Sequence, residues 1–144
     1  MLEAYKRILV ALDGSNQSEK AFKEAIEIAK RNNATVFLAR IINDVELTTS
    51  AYAFSRLLKD EKQNIEEDMD EKVKTAQQAG VNNIERIVEI GSPKEMIGMD
   101  LPQEHAIDLI VIGSTGKGAI AQALVGATTS FVVNHAPCNV MVIK

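Results

Sequence analysis

"DLIVIGSTGKG", Asp108 to Gly118, is the stretch that decides the fold. It begins as an uninterrupted apolar run through Ile112 and then turns to glycines at 113, 116 and 118 with hydroxyls at 114 and 115. A strand without polar alternation is covered on both faces, which in a globular domain means a parallel sheet flanked by helices. A chain that leaves such a strand through glycines and hydroxyls either merely turns or is shaped to admit something anionic. The continuation "AIAQALVGATTSF", residues 119–131, adds Gly126 and hydroxyls at 128, 129 and 130.

The same pattern recurs on either side. "KRILVAL" (6–12) is a strand of continuous apolar centre, stopped by the turn-forming "DGS". Ala21, Phe22, Ala25, Ile26, Ile28 and Ala29 then share one helical face, with Ser15 or Ser18 as cap and the Asn32–Asn33 pair as the end. "TVFLARII" (35–42) is a second strand, followed by the polar connection "NDVELTTSAYAFS" and a long helix through Gln78 with Gly80 as its stop. Within that helix "DEKQNIEEDMDEK" reads as a solvated, mixed-charge face. "IERIVEI" (84–90) alternates more than the others and is placed at a sheet edge. Ser92 and Pro93 open a further helix, which Pro102 is expected to break or kink. A short helix from Thr128 to Asn134 precedes the last strand, "NVMVIK". The order βαβαβαβαβ predicts one α/β domain, 1–144, with a doubly wound, open, five-stranded, mainly parallel sheet and helices on both faces.

Composition narrows the function. Of 144 residues, 46% are hydrophobic and 25% charged, the balance of a folded domain rather than a disordered chain. A formal net charge of −4 and the absence of a Lys/Arg block argue against nucleic acid as a partner. A small anion remains compatible, because backbone amides at a helix N-terminus hold anions without net positive charge. The single Cys138 forms no intramolecular disulfide or cysteine zinc site and fits a reducing compartment; it reads as a packed residue. His105 and His135 lack metal-ligand or Ser–His spacing. No run reaches the roughly 18 apolar residues of a membrane span, and the N-terminal apolar run is too short for a signal peptide. The expectation is a soluble cytoplasmic protein with no metal site of its own and no membrane partner.

Ligands of open α/β sheets bind outside the carboxyl ends of the strands, where the strand order reverses. "LDGS" after the first strand, "IIND" after the second and the glycine stretch after the fourth all fall there. The glycines at 113, 116 and 126 give G-x2-G-x9-G, which is neither the P-loop, since Gly118 follows Lys117, nor the dinucleotide fingerprint. Gly113 would let the chain leave the strand beside a ligand, Gly116 would admit positive φ, and Gly126 would stand at the N-terminus of the last helix. Asp13 has two readings, a ligand contact or an Asx turn before the helix. Lys117 reads as an exposed loop lysine.

On these residues the chain resembles the nucleotide-binding universal stress proteins. "KRILVALDGS", "GSPKEMI", "DLIVIGSTGKG" and "HAPCNVMVIK" carry the resemblance along the whole length, and G-x2-G-x9-G followed by a hydroxyl residue is its most specific part. The resemblance implies an adenine nucleotide alpha hydrolase-like fold, ATP or AMP as ligand (with Mg admissible beside ATP), a homodimer, and a regulatory role in stress responses. It implies that Asp13 lies at the nucleotide, with Ala11 and Leu12 before it, and that the backbone of Ile41 meets the adenine. It extends the site through Ile112, Gly113, Thr115 and Gly116 to Gly126, Ala127, Thr128 and Thr129. Ala127 departs from the pattern, which has a hydroxyl there; a lost hydrogen bond to a charged phosphate weakens binding by roughly 1.5–3 kcal/mol.

No residue reads as catalytic. A slow ATPase or self-phosphorylating protein is the enzyme alternative, with any turnover far below the roughly 1–1,000 per second of typical enzymes, and a ligand-free dimerising protein is the other. The dimer has its own basis in the sequence. Val140, Met141, Val142 and Ile143 make an apolar last strand, and nothing after Lys144 covers its edge, so pairing with a second copy across a two-fold axis is expected.

Overall fold

The computed structural model describes residues 4–43, 51–115 and 125–144, with side chains from residue 59 onward in the second stretch. Gly116, Lys117 and Gly118 lie outside the described residues.

Five strands, β1 (Arg7–Leu12), β2 (Thr35–Asn43), β3 (Ile84–Gly91), β4 (Leu109–Gly113) and β5 (Asn139–Ile143), form one sheet in the order β3-β2-β1-β4-β5. All the pairings are parallel. The chain therefore winds outward from β1 to β3, returns to the other side of β1, and winds outward again. Helices α1 (Asn16–Asn32) and α2 (Ala51–Gln78) cover one face. The other carries α3 (Pro93–Glu95), a π turn (Met96–Asp100), α4 (Leu101–Glu104) and α5 (Ala127–His135).

Two cores follow from this layering. Alternate residues of β1 divide between them: Ile8 and Val10 join Phe22, Ile26, Ile65 and Met69 on the α1–α2 side. Leu9 joins Phe37, Ile97, Leu101, Ile110 and Val132 on the other. Each such side chain contributes about 1.5–3 kcal/mol when withdrawn fully from water, so the two cores, not the individual hydrogen bonds, hold the layers together. β4 is buried at every position, as its apolar run requires. β3 is the edge strand its alternation predicts, and exposed Glu85, Arg86 and Glu89 discourage further pairing there.

The helix ends are set locally. Ser15 caps α1 by accepting the Ser18 N–H at 3.2 Å, and Asn33 ends it in the left-handed region at φ 53°. Gly80 follows α2 with positive φ while the Val81 N–H returns to the Ala76 carbonyl.

Three expectations need correction. Residues 51–55, read as connection, are already helical; Ala51 to Leu58 contains no glycine or proline and ends in strong helix formers, so propensity carries the helix upstream. Pro102 does not break the helical segment. The turn before it widens, with the Leu101 N–H bonding back to the Met96 carbonyl, and Pro102 sits in the first turn of α4, where no N–H is needed. Lys72, assigned to the solvated face, is buried, its ammonium held by Glu19 at 2.7 Å and Asp68 at 3.0 Å.

Candidate functional site

The reversal of strand order lies between β1 and β4, and there the sheet opens. Their ladder runs Ile8–Leu109, Leu9–Ile110, Val10–Val111. Each strand then continues on its outer partner alone, β1 to Leu12 beside β2 and β4 to Gly113 beside β5. Two central strands that stop pairing before they end leave a crevice at their carboxyl ends, where ligands of doubly wound sheets bind. Ala11 shows the opening: it is only partly buried, whereas Ile8, Leu9 and Val10 before it are wholly enclosed.

Three loops meet this edge of the sheet. After β1, Gly14 takes φ 84°, a left-handed turn that a Cβ would strain. The Asp13 carboxylate accepts the Ser15 N–H at 2.9 Å, and the Asp13 N–H points to the Ser18 hydroxyl at 3.4 Å. Asp13 is thus an Asx-turn residue that prepares the start of α1, with its side chain partly exposed at the crevice. After β2, Ile41 lies near the strand end on the α3–α5 face, almost buried and paired in register with Glu89.

The exit from β4 is bound more tightly than its glycines suggest. A Cβ on Gly113 would lie 2.7 Å from the Gln17 Cβ and 3.0 Å from the Gln17 carbonyl carbon. The glycine therefore answers to the start of α1, which presses against the strand end. The Ser114 N–H donates to the Ile143 carbonyl at 2.7 Å, and the Gly126 N–H donates to the Ser114 carbonyl at 2.7 Å. The Thr129 hydroxyl, buried, donates to the Gly113 carbonyl at 2.6 Å. α5 is thus fastened by its first turn over the end of β4. Gly126 is its N-cap, and the first bond of the helix runs from the Ser130 N–H to the Gly126 carbonyl. The N–H groups of Ala127, Thr128 and Thr129 precede it and have no partner within the helix. Ala127 is exposed and Thr128 partly so, at a helix end whose dipole favours negative charge.

The sequence profile of the Universal stress protein family matches residues 4–144. The chain belongs to the universal stress protein family. It is 36% identical over 150 aligned positions to a universal stress protein of Staphylococcus haemolyticus, covering 97% of this chain and 85% of that one. The solved structure of the universal stress protein UspA from Lactobacillus plantarum matches with a TM-score of 0.91 at 36% identity, covering 97% and 98% of the two chains. A universal stress protein solved in complex with cAMP matches with a TM-score of 0.74 at 26% identity, over 98% of each chain.

Within this universal stress protein the described ones among the predicted positions lie at the carboxyl ends of the strands or at the start of α5. Ala11, Ile41 and Ile112 face the α3–α5 side of the crevice; Leu12 turns its side chain into the α1–α2 core, so only its backbone borders the opening. Thr115 is partly exposed just beyond β4. Ser114 draws notice in the sequence for its hydroxyl, whereas its contribution is made by its backbone N–H and carbonyl. Gln17 draws none, because its contact with Gly113 joins distant parts of the chain. The remaining polar candidates stand apart from this edge. His105 caps the end of α4, and His135, the last residue of α5, stacks on Phe131 with ring centroids 4.0 Å apart. Cys138 packs against the α3–α5 core, where burial and then the Asp108 carboxylate raise its pKa and keep the thiol protonated. Among the described residues no group of three or more His, Cys, Asp and Glu side chains is placed to hold a metal ion. No described helix is long and apolar enough to cross a membrane.

Proposed function

We propose that this universal stress protein binds an adenine nucleotide, ATP or AMP, in the crevice between β1 and β4 and acts as a ligand-dependent regulatory homodimer. The observation that carries the proposal is the N-terminus of α5, fixed over the end of β4 with exposed Ala127 and partly exposed Thr128 in its first turn. Such an end supplies N–H donors and a positive dipole to a phosphate in a protein of net charge −4, with no need for a basic patch. The crevice offers a base the partly exposed Ala11, backed by the apolar core to which Ile41 and Ile112 belong. The family member solved with cAMP, 26% identical over 98% of this chain, supports an adenine ligand.

Binding is favoured over turnover. Phosphoryl transfer needs a positioned base or metal ligand at the phosphates. Asp13, the carboxylate nearest in sequence to the crevice strand, is engaged by the Ser15 N–H. The test is to denature the purified protein and identify the released small molecule by chromatography and mass spectrometry. An adenine nucleotide near one per chain is expected. Its absence, together with no uptake of added ATP or AMP, would leave the loop as a turn and the protein as a ligand-free dimer.

A further inference from the structure

Thr129 follows the last glycine of the motif, and a hydroxyl there invites assignment as a phosphate contact. Its geometry is different. The side chain is 3% exposed and its hydroxyl donates to the Gly113 carbonyl at 2.6 Å. A hydroxyl has one proton. An ionised phosphate oxygen accepts hydrogen bonds and donates none, so a threonine whose proton is held by Gly113 has none left for a phosphate.

We infer that Thr129 is a positioning residue of the proposed nucleotide site: its hydroxyl fastens the first turn of α5 to the end of β4, and it acts on the ligand only through that turn. The inference rests on the nucleotide reading above and specifies which groups of the site touch the anion. Two further bonds show what the hydroxyl holds. The Gly126 N–H is consumed by the Ser114 carbonyl, and the Ser114 N–H by the Ile143 carbonyl, so the turn is tied through β4 to β5. These backbone bonds fix where α5 begins; the Thr129 hydroxyl, one residue before the first intrahelical donor Ser130, fixes how the opening turn faces. Gln17 packs so close to Gly113 that an added Cβ would lie 2.7 Å from the Gln17 Cβ, which limits how far the strand end can follow a displaced helix. Among the described groups of this turn, the anion is left to the N–H groups of Ala127, Thr128 and Thr129 and to the Thr128 hydroxyl.

The test uses the full chain as wild type, Thr129→Val, Thr129→Ser and Thr128→Val. Val keeps the volume of Thr and removes the donor; Ser keeps the donor. Two quantities are read: AMP affinity by calorimetry, and amide hydrogen exchange in the ligand-free protein at Ser130 to Val132, the first amides bonded within α5, referenced to Val111 in the core. Thr129→Val is expected to weaken AMP binding by about tenfold and to speed exchange in the first turn of α5 relative to Val111. Thr129→Ser restores both. Thr128→Val weakens AMP binding with exchange unchanged. The inference is overturned if Thr129→Val weakens AMP binding while the turn stays protected, which marks a direct contact. It is also overturned if affinity is unchanged. Wild-type protein that binds no AMP or ATP would remove the nucleotide reading, and with it Thr129's action on a ligand; the exchange measurement would still decide whether the hydroxyl holds the turn.

Discussion

Gly113 shows how one residue answers to its neighbours. The strand end it terminates is pressed against α1, and a methyl group there meets the Gln17 Cβ at 2.7 Å, its carbonyl carbon at 3.0 Å and its oxygen at 3.2 Å. Because two of those atoms are backbone, Gly113→Ala is expected to destabilise the fold by about 1–3 kcal/mol, the usual cost of overpacking. Urea unfolding at unchanged stability would show that α1 yields freely. Ala127 offers the opposite case, an exposed position in the first turn of α5 where a hydroxyl has room. Ala127→Ser is expected to tighten AMP binding by about tenfold, the equivalent of one charge-assisted hydrogen bond. Calorimetry showing no gain would mean that backbone N–H groups or Thr128 already saturate the anion. Sequence pattern identified these positions without recording the contacts that hold them. The glycine spacing marks the loop after β4, but the reason for Gly113 is a contact with α1 that no local pattern records. The hydroxyl of Thr129 is visible in the sequence; the carbonyl that takes its proton is not.

At the scale of elements, α1 and α2 are joined by Lys72. Burial alone would lower its pKa, but the hydrogen bonds its ammonium donates to Glu19 and Asp68 and their charges outweigh it, and the net shift is upward from 10.5. A folded-state pKa above the unfolded one gives stability that is complete below the unfolded value and is lost as pH rises through the folded value. Both carboxylates are about half exposed, so screening keeps the ion-pair contribution near 1 kcal/mol. The stability difference between wild type and Lys72→Met is therefore expected to stay constant from about pH 7 to 9 and to narrow above about pH 10.5. A difference that widens at high pH would contradict the assignment. Most of the element order was legible because continuous apolar strands and amphipathic helices announce themselves by period. Lys72 and the π turn before Pro102 were not. The first depends on a carboxylate of another helix, and the second on how a proline's missing donor is absorbed by the turn upstream.

The whole molecule presents β5 at one edge of the sheet, with Val140, Met141, Val142 and Ile143 all only partly buried. A second copy paired across this edge would cover them and would leave each crevice tied, through the Ser114–Ile143 bond, to the strand at the interface. Val142→Pro removes an edge amide and is expected to shift the protein from dimer towards monomer or aggregate, as read by light scattering. A wild-type monomer at micromolar concentration would rule the dimer out. The doubly wound sheet, its reversal point and the loops around it were legible from strand patterning, whereas the groups held by one another at the crevice emerge only when the chain is folded. The ligand proposed for this crevice is an adenine nucleotide, and titrating the nucleotide-stripped wild-type protein with AMP and with ATP by calorimetry decides it. Saturable binding of one nucleotide per chain, lost in Gly126→Val with the fold intact, is the predicted result; a flat titration with both nucleotides at near-millimolar concentration would contradict it.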